Sequence, residues 1–303
     1  MKKVIVLGSL NMDLSIQCDS MPKNGETLNG FDFFTNPGGK GGNQAVACAK
    51  LGASTHMIAN VGQDVFGNEI LEKLKEYGVH TDEIKVSKFD ASGVAVIIRC
   101  NHDNRIILCN GANHTLDKTY VFDTLNKIAN YEDIFLTQLE NDYDLVKDAI
   151  IHAKSKGLFT ILNPAPARAL DDSIYQNLDL IIINQTECQM LTGIYPVDEE
   201  SSNKALSVFD KKNVKAIITL GIHGSITNFY EKSIFVSSIK VETVDTTAAG
   251  DSYIGALCSC LARNIDIKDA LTYASKVAAL TVTRKGAQVS IPYKQEVEKY
   301  FRR

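Results

Sequence analysis

Short runs rich in β-branched residues alternate with amphipathic stretches along nearly the whole chain, and this rhythm restricts the fold more than any other feature. The strand-like runs fall at residues 4–7, 56–61, 134–139, 158–162, 180–183 and 216–219; the helical patterns between them include 43–51, 67–77, 143–156 and 201–210. A strand that returns parallel to its predecessor needs a crossover, and that crossover packs back on a twisted sheet with one hand only. The pattern therefore predicts an α/β fold with a mostly parallel central sheet flanked by helices on both faces. Unbroken apolar runs such as Leu180-Ile181-Ile182-Ile183 suit strands covered on both sides. With 303 residues and 45% hydrophobic content the chain can bury a sizeable core, and no low-complexity linker or internal repeat interrupts it. Residues 1–303 read as one domain.

Two stretches break the rhythm. Residues of about 14–36 and about 91–109 read as strands following one another with no helix between them. In the second, Val94 to Arg99 leads through the polar Asn101-His102-Asp103-Asn104 into Arg105 to Leu108, a hairpin signal. The two excursions either pair into a small accessory sheet, a lid over the main one, or stand as separate surface hairpins. Apolar lid strands carrying Val94, Val96 and Ile98 would invite aggregation if left open, which predicts a homodimer joined lid to lid.

Charge and cysteine content exclude several functions. Thirty-two basic against 36 acidic side chains, net −4, leave no electrostatic footprint for nucleic acid. No apolar run reaches the ~18–20 residues that cross a bilayer. After Met1-Lys2-Lys3 the apolar stretch is only a strand long before polar Asn11 and Asp13, so secretion is not expected. Seven cysteines, an odd number without a C-x-x-C pair, read as free thiols in a reducing cytoplasm. The histidines show no zinc-ligand spacing.

In a parallel sheet the ligand crevice lies beyond the carboxyl ends of the strands, so the turns there are the informative places. Asp245-Thr246-Thr247-Ala248-Ala249-Gly250-Asp251 follows a strand-like run at 233–244, and the apolar periodicity of Ile254, Leu257, Cys258 and Leu261 places it at the start of a helix. Free amides at a helix N-terminus, with only small side chains around them, make an anion site. Asp251 beside such a site suits a base that takes a proton from a hydroxyl attacking a bound phosphoryl group; the plainer reading is a helix-start carboxylate. A second turn, Pro37-Gly38-Gly39-Lys40-Gly41-Gly42-Asn43-Gln44, lets backbone approach a ligand and offers Lys40 and Asn43 as donors, or is merely a tight connection. It is not a Walker A loop, and Gly8-Ser9-Leu10-Asn11-Met12-Asp13 lacks the dinucleotide glycines. Asn11 and Asp13 after the first strand add an amide and a carboxylate suited to a polyhydroxylated ligand. Asn184-Gln185-Thr186-Glu187 and the turn from Thr219 through Gly221 to Gly224 lie where a nucleotide could rest, or serve as a helix cap and a hairpin turn.

Together these turns resemble the ribokinase-like (PfkB) carbohydrate kinases from Leu7 to Pro292. The resemblance rests on Gly38-Gly39-Lys40-Gly41-Gly42-Asn43-Gln44-Ala45, Gln138-Leu139-Glu140, Asn163-Pro164-Ala165-Pro166-Ala167, Thr219-Leu220-Gly221, Asp245 to Asp251, and Thr283-Arg284-Lys285-Gly286-Ala287-Gln288. It implies the ribokinase-like fold with a β lid at a dimer interface, and ATP-dependent phosphorylation of D-ribose at its 5-hydroxyl. Matched position by position, it implies Asp251 as catalytic base and Ala248, Ala249 and Gly250 as the anion hole. Asn11, Asp13, Gly39, Lys40, Asn43, Glu140 and Asp251 would contact sugar. Asn184, Glu187, Thr219, Gly221, Gly224, Gly250 and Ser275 would contact nucleotide, with Glu187 reaching Mg²⁺ through water. A monovalent cation, K⁺, is implied at Asp245, Thr247, Thr281, Arg284, Gly286 and Ser290, mostly through carbonyls. Gln185 stands where the family usually has Glu, Gly42 where it has Ala, Ser275 where it often has His or Asn, and Ser252-Tyr253 where it has Thr-Phe; none of these removes a catalytic group. Other acceptors on the same scaffold (deoxyribose, uridine), a non-catalytic sugar sensor and a nicotinamide-dependent oxidoreductase are the competing readings.

Overall fold

A computed structural model describes residues 1–100 and 103–301. Thirteen strands are present among them: β1 (Lys3–Leu7), β2 (Asn11–Gln17), β3 (Phe31–Gly38), β4 (Ser54–Gly62), β5 (Ile84–Ser87), β6 (Gly93–Cys100), β7 (Asp103–Cys109), β8 (Ile134–Thr137), β9 (Phe159–Leu162), β10 (Leu180–Asn184), β11 (Lys215–Thr219), β12 (Gly224–Thr227) and β13 (Ile234–Ser237). The helices are α1 (Lys40–Lys50), α2 (Val65–Glu76), α3 (Lys118–Ile128), α4 (Tyr143–Ser155), α5 (Asp172–Tyr175), α6 (Gln185–Thr192), α7 (Glu199–Asp210), α8 (Ala249–Leu261), α9 (Ile267–Thr281) and α10 (Lys294–Phe301).

Nine strands form the main sheet in the order β13-β12-β11-β10-β9-β8-β1-β4-β5. Every pairing from β11 to β5 is parallel, and β12 and β13 add an antiparallel edge. The unbroken apolar strands follow from the layering. Along β1, Val4 and Val6 enter a core shared with α1, α2, α8 and α9, while Ile5 and Leu7 point the other way into a core shared with α3, α4, α6 and α7. The same division splits Leu180 and Ile182 from Ile181 and Ile183 on β10. Successive side chains of a strand face opposite ways, so a doubly covered strand needs apolar residues at every position.

The strand expected over 233–244 is cut short. Only Ile234–Ser237 pairs, antiparallel to β12, after which the chain leaves the sheet edge and runs irregularly to α8. The helix that carries Asp251 is thus reached from a sheet edge and not from the end of a parallel strand. Likewise the run at 134–139 is a strand only to Thr137, after which Gln138 bonds to Gln44 in the interior and Glu140 turns into the cleft described below.

The two excursions pair with each other in a second sheet, β3-β2-β6-β7. Its centre is the parallel pair β2–β6, with β3 and β7 antiparallel on the outside. The β6–β7 hairpin is in register from Val94↔Cys109 to Cys100↔Asp103; Asn101 and His102 of the expected turn lie outside the described residues. Both outer strands expose apolar side chains, among them Phe31, Phe33, Ile106 and Ile107. Among the described residues all seven cysteines are free, and no helix is long and apolar enough to cross a membrane.

Candidate active site

A cleft of about 650 Å³ opens between the small sheet and the main body. Its sheet wall presents Asn11, Asp13, Ala95 and Ile97; its floor is the N-terminus of α1 with Lys40 and Asn43, then Glu140, the loop at 243–248 and Asp251.

The N-terminus of α8 meets the requirements for an anion site. Its first residue is preceded by Ala248 at φ 59°, a left-handed conformation that costs an alanine roughly 1–2 kcal/mol. No side chain caps the helix. The Ala249 N–H donates to the Thr246 carbonyl at 3.2 Å, which partly occupies one of the expected donors. The amides of Gly250 and Asp251 have no protein acceptor among the described residues, and a Cβ at Gly250 would meet nothing within 4 Å. Strain, missing cap and bare backbone coincide at one turn, as expected where the helix end is kept for a ligand.

Asp251 is buried at 9% exposure, its carboxylate held from two sides. Asn43 donates through Nδ2 to Oδ2 at 2.9 Å, and Gln44 donates through Nε2 to Oδ1 at 2.9 Å. Behind Gln44 runs a chain of buried amides: Gln138 Nε2 donates to Gln44 Oε1 at 2.6 Å, Gln44 Nε2 also reaches Asn163 Oδ1 at 3.2 Å, and Asn163 Nδ2 donates to the Ile182 carbonyl at 3.0 Å. Asp251 is therefore oriented from the central sheet itself. Sequence reasoning assigned no role to Gln44, Gln138 or Asn163. The available signal was three uncharged amides within the motifs, each followed by an apolar residue.

Glu140 accepts from Ser9 Oγ at 2.5 Å and from the Lys40 backbone N–H at 3.0 Å. Asn113, also missed, pairs with the Leu10 backbone in both directions and donates to Asn11 Oδ1 at 2.8 Å, fixing the start of β2. Asp13, Glu140 and Asp251 line this space, and Glu187 lies close enough to feel Asp251 and Lys40. Burial, then Glu140 and Asp251, push the Asp13 carboxyl up to about 7. Burial opposes the charge of Lys40, but Asp251, Glu140 and Glu187 outweigh it and hold the ammonium's pKa above the ordinary lysine value. Glu187 is raised chiefly by burial, against the Asn184 backbone N–H and Lys40, which both lower it.

Asn184, Thr219, Gly221, Gly224 and Ser275 do not line this cleft. The first four lie side by side beyond Glu187: Asn184 and Thr219 are register partners on β10 and β11, and Gly221 and Gly224 turn the chain into β12. Gly224 sits at φ 123°, where a Cβ would fall 2.0 Å from the Val236 carbonyl oxygen. Ser275 is buried on α9, which packs on α8 and β13. Asn184 and Glu187 form a reciprocal capping box at the start of α6, so the Glu187 carboxylate already accepts from the Asn184 backbone N–H and side chain. That engagement suits contact with Mg²⁺ through water. Gln185 does not bear on it, since its amide donates to the Pro196 carbonyl.

The residues matched to a monovalent cation divide in two. Asp245, Thr247 and Gly286 line the cleft, whereas Thr281, Arg284 and Ser290 lie outside its lining. Asp245 accepts from the Gly286 N–H at 2.9 Å and from the Thr247 N–H and hydroxyl at 2.9 and 2.7 Å. Burial alone would raise its pKa, but those bonds and the charge of Arg99 hold it below the usual value. The Thr281 and Ser290 hydroxyls donate to backbone carbonyls, and Arg284 pairs with Glu296 at 2.8 Å. Asp245 is the one carboxylate among these six residues, a donor set that suits a monovalent ion better than a caged divalent metal, and among the described residues no cluster of three or more His, Cys, Asp or Glu could hold a metal.

The model of the pfkB family carbohydrate kinases matches residues 1–294. The chain belongs to that family. Among curated relatives, a ribokinase of Haemophilus influenzae is 38% identical over 302 residues, covering 99% of this chain and 98% of its own. A deoxyribokinase of Salmonella typhi is 35% identical, covering 98% of each. Among solved structures, an Arabidopsis thaliana ribokinase complexed with ribose and ATP superposes with a TM-score of 0.89 at 29% identity, covering 98% of each chain. A pfkB carbohydrate kinase must join a sugar hydroxyl to a nucleotide phosphate.

Proposed function

We propose that this chain is a ribokinase, transferring the γ-phosphoryl group of ATP to the 5-hydroxyl of D-ribose. The observation that carries the proposal is the placement of the Asp251 carboxylate, fixed by Asn43 and Gln44, beside the free amides of Gly250 and Asp251. Asp251 takes the hydroxyl proton as the O5–Pγ bond forms and the bond from Pγ to the β-phosphate oxygen breaks, releasing ADP. The α8 amides and Lys40 stabilise charge on the transferred group. Asn11, Asp13, Gly39, Asn43 and Glu140 hold the sugar; the buried Asn43 Oδ1, which has no protein donor, is a ready acceptor for one sugar hydroxyl. Asn184, Thr219, Gly221, Gly224 and Ser275 hold the nucleotide. Glu187 would hold Mg²⁺ through water, where the ion would supply charge neutralisation at the phosphates, and Asp245, Thr247, Thr281, Arg284, Gly286 and Ser290 would hold K⁺.

The small sheet acts as a lid that excludes water from the transfer. Its exposed Phe31, Phe33, Ile106 and Ile107 supply the face for a second copy of the chain, so sedimentation at micromolar concentration is expected to give a dimer; a monomer would remove that assignment. Free thiols throughout accord with a reducing cytoplasm.

ADP release measured across D-ribose, 2-deoxyribose and uridine, with and without K⁺, tests the activity. The deoxyribokinase relative makes 2-deoxyribose the meaningful competitor: equal kcat/KM for the two pentoses would overturn the choice of ribose, and no ADP release with any of the acceptors would overturn the kinase.

Asp13 adds a pH dependence. With its carboxyl at about 7, the acceptor form grows as pH rises, so KM for ribose is expected to fall about tenfold from pH 6 to pH 8. Asp13→Asn should lose that limb whatever its own KM. Stability runs the opposite way: a carboxyl raised in the folded state favours folding below its unfolded value, and that contribution is lost as pH climbs to about 7. A KM flat between pH 6 and pH 8 in the parent enzyme would contradict the role given to Asp13.

A further inference from the structure

Lys50 closes the last turn of α1 and is buried at 6% exposure. Among the described residues it makes no ion pair. Its ammonium donates to the carbonyls of Gln288 at 2.8 Å and Ile291 at 3.0 Å, and lies over the rings of Tyr77 at 4.0 Å and Tyr293 at 5.0 Å. A buried cation bonded only to carbonyl dipoles and aromatic faces, with the charges of Glu296 and Glu76 felt at a distance, is costly to keep, and an apolar residue of the same length would fill the space more cheaply. Its two carbonyl partners flank Ser290, and Gly286, just upstream, is the residue whose N–H holds Asp245.

The same segment also touches the other end of α1. A Cβ at Gly42 would fall 2.9 Å from Gln288 Nε2, so the glycine, where the family usually has alanine, makes room for a side chain that is itself 1% exposed. The segment at 288–291 is thus bonded to the last turn of α1 through Lys50 and packs against its first turn through Gln288, on the helix that presents Lys40 and Asn43 to the cleft.

We propose that Lys50 is a positioning residue for the monovalent-cation loop, fixing the carbonyls on either side of Ser290 and joining that loop rigidly to the helix of the sugar site. This rests on the cation site assigned above. With the ammonium gone, the two carbonyls lose the group that orients them, and the loop must be ordered by the cation alone.

Thermal unfolding of the full chain in KCl against choline chloride at equal ionic strength separates this from a packing role. The parent protein should gain Tm with K⁺. Lys50→Met should raise the half-saturating K⁺ concentration roughly 10- to 100-fold, the usual cost of losing a group that orients ligands from behind, and Lys50→Arg should restore it. Lys50→Gln, which keeps a donor without the charge, covers the case in which the methionine variant does not fold. A lower baseline Tm in Lys50→Met or Lys50→Gln with unchanged half-saturation would make Lys50 a packing residue and overturn the proposal. No K⁺ response in the parent protein would instead overturn the cation site.

Discussion

Replacing Asp251 with asparagine is expected to lower kcat for ribose phosphorylation roughly 10²- to 10⁴-fold, the range lost with a positioned general base. The substitution isolates that role because the site can absorb it structurally. Asp251 now accepts one hydrogen bond from Asn43 and one from Gln44, and an amide in its place offers only one acceptor. The Asn43 side chain, however, has a buried oxygen with no protein donor, so a flip of that amide would let it accept from the new NH₂ group. Folding should survive with a Tm change of no more than about 3 °C, the equivalent of roughly 1 kcal/mol in a chain this long. Ribose and ATP should still bind, leaving both KM values within a few-fold of the parent. Coupled ADP release and a melting curve decide the matter: near-parental turnover in a folded Asp251→Asn protein would refute Asp251 as the base.

Lys40→Met should be nearly as damaging for a different reason. The ammonium is the shared countercharge of Asp251, Glu140 and Glu187, which hold its pKa up against burial. Its own backbone N–H still donates to Glu140 after the substitution, so the loop keeps its anchor and the loss is confined to the charge. A fall of roughly 10²- to 10³-fold in kcat/KM is expected, the scale seen when one electrostatic stabiliser of a transition state is removed. ADP release from the folded Lys40→Met protein checks this, and kcat/KM near the parent's would mean that the ammonium does not stabilise the transferred group.

Both expectations turn on residues that were legible in the sequence, and the reason is local. Asp251 was readable because small residues precede it and an apolar helical period follows it. Lys40 stood out among glycines for the same kind of reason. The Gly224 turn and the Asn184–Glu187 capping box are likewise short-range devices, written within a few residues. What stayed hidden was support from afar. Gln44 reads as one more polar residue at a helix start until Gln138, Asn163 and Asp251 are brought to it from 94, 119 and 207 positions away. Asn113 is hidden in the same way, since it fixes Leu10 from 103 residues downstream. The strand expected at 233–244 failed for a related cause. Its β-branched residues suit an extended chain, but only the four residues Ile234–Ser237 find a partner on β12.

The sequence by itself determined the alternation of strand and helix, the two-sided burial of the main sheet, the glycine turns and the exposed helix start at Ala248, because periodicity, φ preference and capping act over a handful of neighbouring residues. Tertiary structure alone decided that β2 lies parallel to β6 in one small sheet, that three amides hold Asp251 from behind, and that Lys50 grips a loop 238 and 241 residues away. Those contacts are chosen by which surfaces remain unpaired once the core has closed, and no local pattern encodes that choice.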